Sequence, residues 1–255
     1  MKIFNESKEG LFGSSLNWIN ARLPYLHKNK IYPEWDIRNI NHGNPLDQDR
    51  IIPHIIKPKK QAKSSTEAIE LLDIERHQYT DFKEANFYFN EYFQFCPSIT
   101  DQLDIDFIPQ KCLGIHFRGT DKLTNNKDCK VIDLNNFLLK LNSFLKDCCL
   151  DSVFIISDDE DSKQTIIRFL KNLDLTVLST DSSPHFHKTL PSNPDKLAIT
   201  KSSIIEMLLL SKCECVIKSH SAFSSWAKII NPNLEMYRVN ECKNNWFPDY
   251  YLPEF

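Results

Sequence analysis

Residues 152–179 read SVFIISDDEDSKQTIIRFLKNLDLTVLS and contain one complete strand–helix–strand unit. Ser152–Ser157 is a short apolar run, which is typical of a buried strand. Ser162–Lys171 carries its apolar side chains at helical spacing, and Leu175–Ser179 is a second short apolar run. Two such runs joined by an amphipathic helix predict neighbouring parallel strands in one sheet.

The same alternation continues on both sides of this unit. Strands are predicted over Lys111–Phe117, Cys215–Ser219 and Leu234–Val239, and helices over Asp133–Cys148, Ile204–Leu210 and Ala222–Ile230. Short apolar strands that alternate with helices indicate a parallel sheet covered by helices on both faces. We therefore predict that residues 110–255 form a Rossmann-like α/β domain.

The first hundred residues are less regular. Helices are predicted from Ser15 to about Leu26, over Thr66–Leu72 and over the aromatic-rich Phe82–Phe95. Residues 96–109 are expected to connect this part to the second half. We predict two lobes with a cleft between them, the smaller over residues 1–109, and a ligand at the carboxyl ends of the strands.

The composition excludes the common glycine-rich phosphate loops. The chain has 255 residues and only five glycines, where average usage would give roughly 18. No G-x-G-x-x-G is present, and Gly114 and Gly119 are followed by Thr120-Asp121 where a P-loop requires Lys-Ser/Thr. A net charge of -3 argues against a general nucleic-acid binder.

The chain also lacks the patterns of an exported or membrane protein. Its N-terminal residues turn polar at once, unlike a signal peptide, and no apolar run approaches the roughly 20 residues that span a bilayer. The eight cysteines include no Cys-x-x-Cys pair, so reduced thiols are expected instead of a zinc site or a disulfide framework. We predict a soluble cytoplasmic protein.

Polar side chains follow the first strand of the predicted sheet. His116 and Arg118 alternate along the chain and so face the same side, opposite Ile115. The guanidinium of Arg118 has five donors in a fixed fork, which suits a diphosphate. Gly119 would allow a sharp turn, and Asp121 could hold the arginine. The alternative is a structural Arg–Asp ion pair in a loop.

Two further strand ends carry groups that could meet a ligand. After the second strand, Asp158 is expected to cap the next helix, although Asp159-x-Asp161 also resembles a metal-binding D-x-D. The fourth strand is followed by serines that open a helix, and the backbone N–H groups there can bind an anion. Plain capping by one serine is the alternative. Together with Arg118, this helix favours a phosphate-bearing ligand.

Several segments resemble one known superfamily. Gly114–Lys122 (GIHFRGTDK) resembles the His-x-Arg signature of the α1,6-, nodulation-type and protein-O-fucosyltransferases. Val153–Asp159 resembles the second block of that superfamily, and Ile204–Trp226 the third, in the same order and spacing. Gly10–Ser14 is similar to the glycine-containing loop that faces the donor in these enzymes.

The resemblance implies a GT-B-type fold of two Rossmann-like lobes and an inverting transfer, most simply of L-fucose from GDP-fucose to a glycan or glycoconjugate, with no required metal. It implies that Arg118 binds the β-phosphate and stabilises the departing GDP, and that Asp121 holds the arginine loop. Other donor contacts are implied for His116, Gly10, Phe12, Gly13, Asp158, Glu206, Ser221, Phe223, Ser224 and Ser225.

The resemblance leaves the catalytic base open. The α1,6 enzymes carry a glutamate a few residues after Thr-Asp-Lys, whereas this chain has Asn125-Asn126-Lys127-Asp128. Asp128 is one possible base. Glu206 has an ordinary alternative as a solvated residue on an amphipathic helix.

Alternatives to a GDP-fucose enzyme also stay open. The protein could use another GDP- or UDP-sugar, or it could bind a nucleotide or glycan without catalysis. The basic run Lys57–Lys63 is expected to be a solvated loop, or at most a peripheral contact with an anionic membrane. His185 and His187 could bind metal with Cys213 and Cys215, but we interpret these residues as loop and core.

Overall fold

The structure is a computed structural model that describes residues 1–8, 10–60, 68–104, 106–119, 129–180, 195–243 and 249–255. The contacts divide the chain into two compact units. Unit 1 contains Met1–Leu103 and Phe186–Ile205, and unit 2 contains Asp104–His185 and Glu206–Phe255. The predicted α/β class is confirmed, because both units contain parallel strands joined by helices.

Unit 2 is built on one parallel sheet of five strands. The strands of unit 2 are β6 (Cys112–Phe117), β7 (Ser152–Ser157), β8 (Thr176–Leu178), β9 (Cys215–Lys218) and β10 (Glu235–Arg238). Its helices are α4 (Leu134–Asp147), α5 (Glu160–Lys171), the end of α6 (Lys196–Leu210) and α7 (Ala222–Ile230). The strand order is β10-β9-β6-β7-β8, and every pairing in it is parallel.

This strand order determines where a ligand would bind. The chain moves outward from β6 through β7 to β8, then returns to the other side of β6 with β9 and β10. The order therefore reverses between β6 and β9, and open α/β sheets bind ligands at such a switch point, beyond the carboxyl ends of the strands. The residues that follow β6 and β9 are thus the first candidates for a site.

The core of unit 2 fixes which way each side chain of β6 points. Leu113, Ile115 and Phe117 are fully buried in one apolar cluster. The cluster also includes side chains of α4 and α5, and each of these helices begins at a capping aspartate, Asp133 or Asp159. Because side chains alternate along a strand, His116 lies on the opposite face, as the sequence predicts.

Unit 1 has a parallel sheet whose strands the sequence analysis did not locate, although the resemblance implied a Rossmann-like lobe here. The strands of unit 1 are β1 (Lys2–Ser7), β2 (Glu34–Asn39), β3 (Ile56–Pro58), β4 (Ala68–Glu70) and β5 (Phe93–Phe95). Parallel pairing gives the order β2-β1-β4, and β3 pairs with β5 antiparallel. The helices are α1 (Ser15–Lys28), α2 (Phe82–Tyr92), α3 (Pro97–Thr100) and the beginning of α6.

The helix predicted over Thr66–Leu72 is wrong. Residues 68–70 form β4, which pairs with Lys2–Phe4 of β1, and Leu71–Asp73 form a single 3-10 turn. The helical spacing of apolar residues in this segment is outweighed by pairing with a strand more than sixty positions away in the sequence.

The contact-based units do not end at the predicted boundary between residues 109 and 110. The chain leaves unit 1 near Leu103, and the segment ending at Ile205, of which residues 195–205 are described, belongs to unit 1 as well. The physical reason is Lys196, which is almost fully buried and donates to the carbonyl oxygen of Ile40 and to the Asp49 carboxylate. A buried ammonium needs such partners, so this helix start is bound to unit 1.

A buried carboxylate connects β1, β2 and the following loop. Asp36 accepts from two nitrogens of Arg38, each at 3.0 Å, and from Arg50 Nε at 3.1 Å, while Lys2 Nζ lies 3.3 Å away. The hydrogen bond from Arg38 contributes most to holding the pKa of this carboxyl well below its usual range. These ion pairs explain how a strand with charged residues at its centre can be buried.

Gly43 is required by a close approach of two chain segments. A Cβ atom on Gly43 would overlap the carbonyl group of Asp49, which is backbone and cannot move aside. A Cβ on Gly13 would have only the Gly10 carbonyl oxygen within 4 Å, at 3.8 Å.

Gly43→Ala is therefore expected to lower the free energy of unfolding by about 3 kcal/mol, the upper end of the cost of overpacking. Gly13→Ala is the matched control and should change it by less than about 1 kcal/mol. Urea titrations of both variants measure the difference, and equal stabilities would contradict this account of Gly43.

The structure also bears on three predictions from the sequence, which concern the cysteines, membrane-spanning helices and the basic run. All eight cysteines are free thiols. No helix within the described ranges has the length and apolar character needed to cross a membrane. In the basic run, Lys59 and Lys60 are bound to α2 through Asn90 and Glu91, as in a structural loop, whereas residues 61–63 lie outside the described residues.

Candidate functional site

The carboxyl ends of β6 and β9 are joined directly. The Ser219 hydroxyl accepts from the backbone N–H of Arg118 at 2.6 Å and donates to the carbonyl oxygen of His116 at 3.3 Å. The backbone N–H of Ser219 also donates to that carbonyl oxygen, at 2.9 Å. The backbone of Arg118 is therefore fixed at the switch point of the sheet.

The carboxyl end of β7 contributes an acidic group to the same position. Asp158 Oδ1 accepts from the backbone N–H of Gly119 at 2.8 Å, and Asp158 Oδ2 lies 3.7 Å from Arg118 Nε. The Arg118 side chain is 20% exposed and that of Asp158 is 11% exposed. Asp121, the partner predicted for Arg118, lies outside the described residues, so Asp158 is a carboxylate that the structure does place beside Arg118.

Asp159 caps α5, whereas the sequence analysis expected Asp158 to do so. Asp159 Oδ2 accepts from the backbone N–H of Ser162 at 3.2 Å. The cap is therefore one residue later than the sequence analysis predicted. Asp158 instead accepts from the Gly119 N–H and lies beside Arg118.

Gly119 is required by its closeness to that cap. Its φ angle is not in the left-handed region, so it does not provide the sharp turn that only glycine could make. A Cβ on Gly119 would instead lie 2.6 Å from Asp159 Cβ and 2.8 Å from Asp159 Oδ2.

Gly119→Ala is expected to displace the capping carboxylate and to lower the free energy of unfolding by about 1–2 kcal/mol. Asp159→Ala removes the same cap without the clash and should cost about 1 kcal/mol. Chemical denaturation gives the free energy of unfolding of both variants. A Gly119→Ala variant as stable as wild type would contradict the close approach of Gly119 to Asp159.

His116 is a buried residue that connects β6 to α7. Its Nδ1 lies 2.8 Å from Ser224 Oγ, and its ring packs against Phe223 with the centroids 5.1 Å apart. His116 is 6% exposed and Ser224 is fully buried. The Ser224 hydroxyl is thus hydrogen-bonded to His116 inside the protein. Phe223, in contrast to His116 and Ser224, is only half-buried.

A second carboxylate occupies the start of α7. Asp249 Oδ2 accepts from the backbone N–H of Ser221 at 2.8 Å, and Asp249 Oδ1 accepts from Lys218 Nζ at 2.5 Å and from the Ser225 hydroxyl. Lys218 also donates to the Ser221 carbonyl oxygen and to Ser225 Oγ. The N–H of Ser221 and the hydroxyl of Ser225, both predicted phosphate contacts, are therefore already bonded inside the protein.

The charge of Asp249 is stabilised by its neighbours. Burial by itself raises the pKa of this carboxyl, but the Lys218 ammonium and the hydrogen bond from His220 outweigh it and hold the pKa below its usual range. Lys218 is fully buried and the Asp249 side chain is 3% exposed. A buried pair of this kind is stable only when the remaining polar atoms are also bonded, and here they are.

Glu206 lies near the carboxyl end of β8. It is 4% exposed and accepts a hydrogen bond from the hydroxyl of Thr180, two residues after that strand. The alternative of a solvated helix residue is therefore wrong. With Arg118 after β6, Asp158 after β7 and the start of α7 after β9, polar groups follow four neighbouring strands at one edge of the sheet.

The remaining predicted residues lie in unit 1 or outside the described residues. Gly10, Phe12 and Gly13 belong to unit 1, where the backbone N–H of Ser14 donates to the Gly10 carbonyl oxygen at 3.0 Å just before α1 begins. Phe12 is 4% exposed. Asp128, His185 and His187 lie outside the described residues.

Sequence reasoning did not assign roles to Lys218, Ser219, His220 and Asp249. A lysine that ends an otherwise apolar strand was a usable signal, because such a lysine needs a buried partner. Nothing in the sequence near Asp249 indicates that it is that partner, since the two residues are 31 positions apart.

Comparison with protein-family models gives no match, and comparison with curated protein sequences gives none either.

Solved structures do match. The NodZ alpha-1,6-fucosyltransferase soaked with GDP-fucose superposes with a TM-score of 0.58 at 12% identity, over 90% of this chain and 92% of that chain. The fucosyltransferase NodZ from Bradyrhizobium gives 0.57 at 13%, over 89% and 92%. The NodZ enzyme co-crystallised with GDP gives 0.56 at 12%, over 89% and 91%. The chain therefore has the fold of the NodZ alpha-1,6-fucosyltransferase.

Proposed function

We propose that this protein is an inverting glycosyltransferase that moves a sugar, L-fucose from GDP-fucose, onto a glycan or glycoconjugate. The observation that carries the proposal is the position of Arg118, fixed at the switch point of a sheet whose fold matches that of NodZ. NodZ has been soaked with GDP-fucose in one of these structures and co-crystallised with GDP in another. The match alone fixes only the fold, so Arg118 and its neighbours support the activity.

The chemistry of the transfer suits a fixed guanidinium. As the bond from the sugar to the diphosphate breaks, negative charge grows on the departing phosphate oxygen. A positive group that is already oriented towards this charge lowers the barrier, and such electrostatic stabilisation is usually the largest contribution. We assign this role to Arg118, whose side chain is partly exposed and whose backbone is held by Ser219.

The start of α7 is the second group assigned to the diphosphate. Because the hydroxyls of Ser224 and Ser225 are engaged by His116, Lys218 and Asp249, phosphate contacts here would come from the backbone of the first helical turn. N–H groups in that turn have no acceptor within the helix. Phe223 remains assigned to the donor in this way, whereas the N–H of Ser221 is bonded to Asp249 and Ser221 stays assigned by the resemblance alone.

Asp158 and Glu206 are assigned to the nucleoside. A carboxylate can accept from N1 and N2 of guanine together, which would favour GDP over UDP. Glu206 is nine-tenths buried and Asp158 nearly so, and a buried carboxylate gains most from such paired donors. Gly10, Phe12 and Gly13, with Asp121, stay assigned to the donor by the resemblance alone.

Arg118 supplies the positive charge in this proposal, so no divalent metal or other cofactor is assigned a role. We place the protein in the cytoplasm, where it would act in the synthesis of a polysaccharide or another glycoconjugate. The first test is incubation with GDP-fucose, other GDP-sugars and UDP-sugars, with and without EDTA, while release of the nucleotide is measured. GDP-fucose should turn over fastest, and EDTA should leave the rate unchanged.

The same assay separates the alternatives. Turnover or thermal stabilisation by a UDP-sugar, with none by GDP-fucose, would assign a different donor to the same fold. Binding of GDP without turnover of any sugar nucleotide would indicate a non-catalytic nucleotide-binding protein.

A further inference from the structure

His220 and Asp249 form a side-chain pair beside the candidate donor site. His220 Nδ1 lies 2.9 Å from Asp249 Oδ2, and the backbone N–H of His220 donates to Asn240 Oδ1 at 2.7 Å. The side chain of His220 is 22% exposed, whereas that of Asp249 is 3% exposed. The histidine is thus held at both its backbone and its ring, and part of the ring reaches solvent.

The hydrogen bonds around Asp249 fix which ring nitrogen of His220 carries a proton. Asp249 is ionised beside Lys218, so its Oδ2 accepts the Nδ1–H of the imidazole. A neutral imidazole protonated on Nδ1 has its lone pair on Nε2. A carboxylate that holds the tautomer and stabilises the imidazolium is the arrangement that makes histidine an effective general base.

The position of His220 suits a role in the proposed transfer. It is the second residue after β9, and its neighbour Ser219 is hydrogen-bonded to the backbone of Arg118 after β6. Neighbouring strands lie about 4.8 Å apart, so His220 and Arg118 begin from adjacent points on one edge of the sheet. In that arrangement His220 can accept the proton of the attacking hydroxyl while Arg118 stabilises the departing diphosphate.

We propose that His220 is the general base of the sugar transfer and that Asp249 is its positioning residue; this inference rests on the proposed function. The acceptor hydroxyl oxygen forms a bond to C1 of the sugar as its proton passes to His220 Nε2. The bond between C1 and the phosphate oxygen breaks, and its electron pair stays on the departing GDP beside Arg118. The imidazolium then releases the proton to water.

Two neighbouring side chains contact the ring of His220. One is Asp249, whose charge is paired with that of Lys218, and the other is the thiol of Cys242. Cys242 Sγ lies 3.2 Å from His220 Nδ1, and burial raises the pKa of that thiol to about 11, so it stays uncharged at neutral pH.

The decisive variant is His220→Asn, because the asparagine amide can still donate to Asp249 but offers no basic nitrogen. GDP-fucose is the donor, with either water or sodium azide as the acceptor. Water must lose a proton as it attacks, whereas azide is already an anion. We expect hydrolysis to fall by about 10²–10⁴-fold and azide transfer to stay within about threefold of wild type.

His77→Asn is the matched control, since His77 also pairs with a carboxylate, Glu84, but lies in unit 1. It should leave both reactions unchanged. If His220→Asn hydrolyses GDP-fucose at a rate close to wild type, or loses azide transfer as completely as hydrolysis, His220 is not the base and the proposed function still stands. If wild type turns over no sugar nucleotide with either acceptor, both proposals fail.

Discussion

Arg118→Ala is expected to lower the rate of sugar transfer by about 10³-fold, the scale reported for removal of one preorganised charge-stabilising donor. The loss should appear mainly in kcat, because the negative charge on the diphosphate is largest in the transition state. Arg118→Lys restores a positive charge without the planar fork, and an intermediate rate is expected. The steady-state rate of GDP release from GDP-fucose is measured for wild type and for both variants.

The control for this variant is Arg168→Ala. Arg168 is exposed on α5 and its guanidinium is bonded within that helix, to Gln164 and Thr165, so transfer should be unchanged. The fold of Arg118→Ala should persist, because the Gly119 N–H still donates to Asp158. A variant with more than a tenth of the wild-type rate, and unaltered thermal stability, would contradict the role of Arg118.

Lys218→Met is expected to lower the free energy of unfolding by about 3–5 kcal/mol, because it leaves the Asp249 carboxylate buried without its cation. Lys218→Met/Asp249→Asn removes both charges and keeps an acceptor for the Ser221 N–H. The double variant should therefore recover much of the loss. Lys146→Met, at the exposed end of α4, should change stability by less than about 0.5 kcal/mol.

The pH dependence of these proteins gives a further check. In wild type the folded-state pKa of Asp249 is depressed, so its contribution to stability is present above about pH 4 and is lost as the pH falls towards the folded-state value. In Lys218→Met, burial without the cation raises that pKa, so the deficit relative to wild type should shrink as the pH falls. A deficit that stays constant between pH 7 and pH 4 would contradict the ion pair.

The sequence was sufficient for the architecture of unit 2 because its strands are continuous apolar runs. Leu113, Ile115 and Phe117 all enter one core, so the direction of His116 followed from simple alternation. In unit 1 the strands carry charged and polar residues, such as Asp36 and Asn5, that are nevertheless buried. Their burial depends on partners distant in the sequence, which no local pattern reveals, and the positions of these strands were therefore not predicted.

The candidate site shows the same limit. Arg118 and the serines after β9 could be found because they stand next to recognisable strands and helix starts. Asp249 could not, because its importance arises from contacts with Lys218, Ser221 and His220, about thirty residues earlier. The sequence thus indicated at which edge of the sheet these polar groups gather, whereas the buried charges at this edge could be identified only from the three-dimensional contacts.

Unit 1 is built from two separate segments of the chain, so it can fold completely only after the second segment has been synthesised. Residues 1–103 are synthesised before the rest of the chain described here. Asp49 and the carbonyl group of Ile40 nevertheless lack their hydrogen-bond donor until Lys196, about 150 residues later, has been synthesised. Contacts this distant in sequence form slowly and leave intermediates exposed. Unit 1 is therefore first in synthesis but cannot be complete until residue 205 has been added, and a fragment ending near Leu103 is expected to lack part of its own fold.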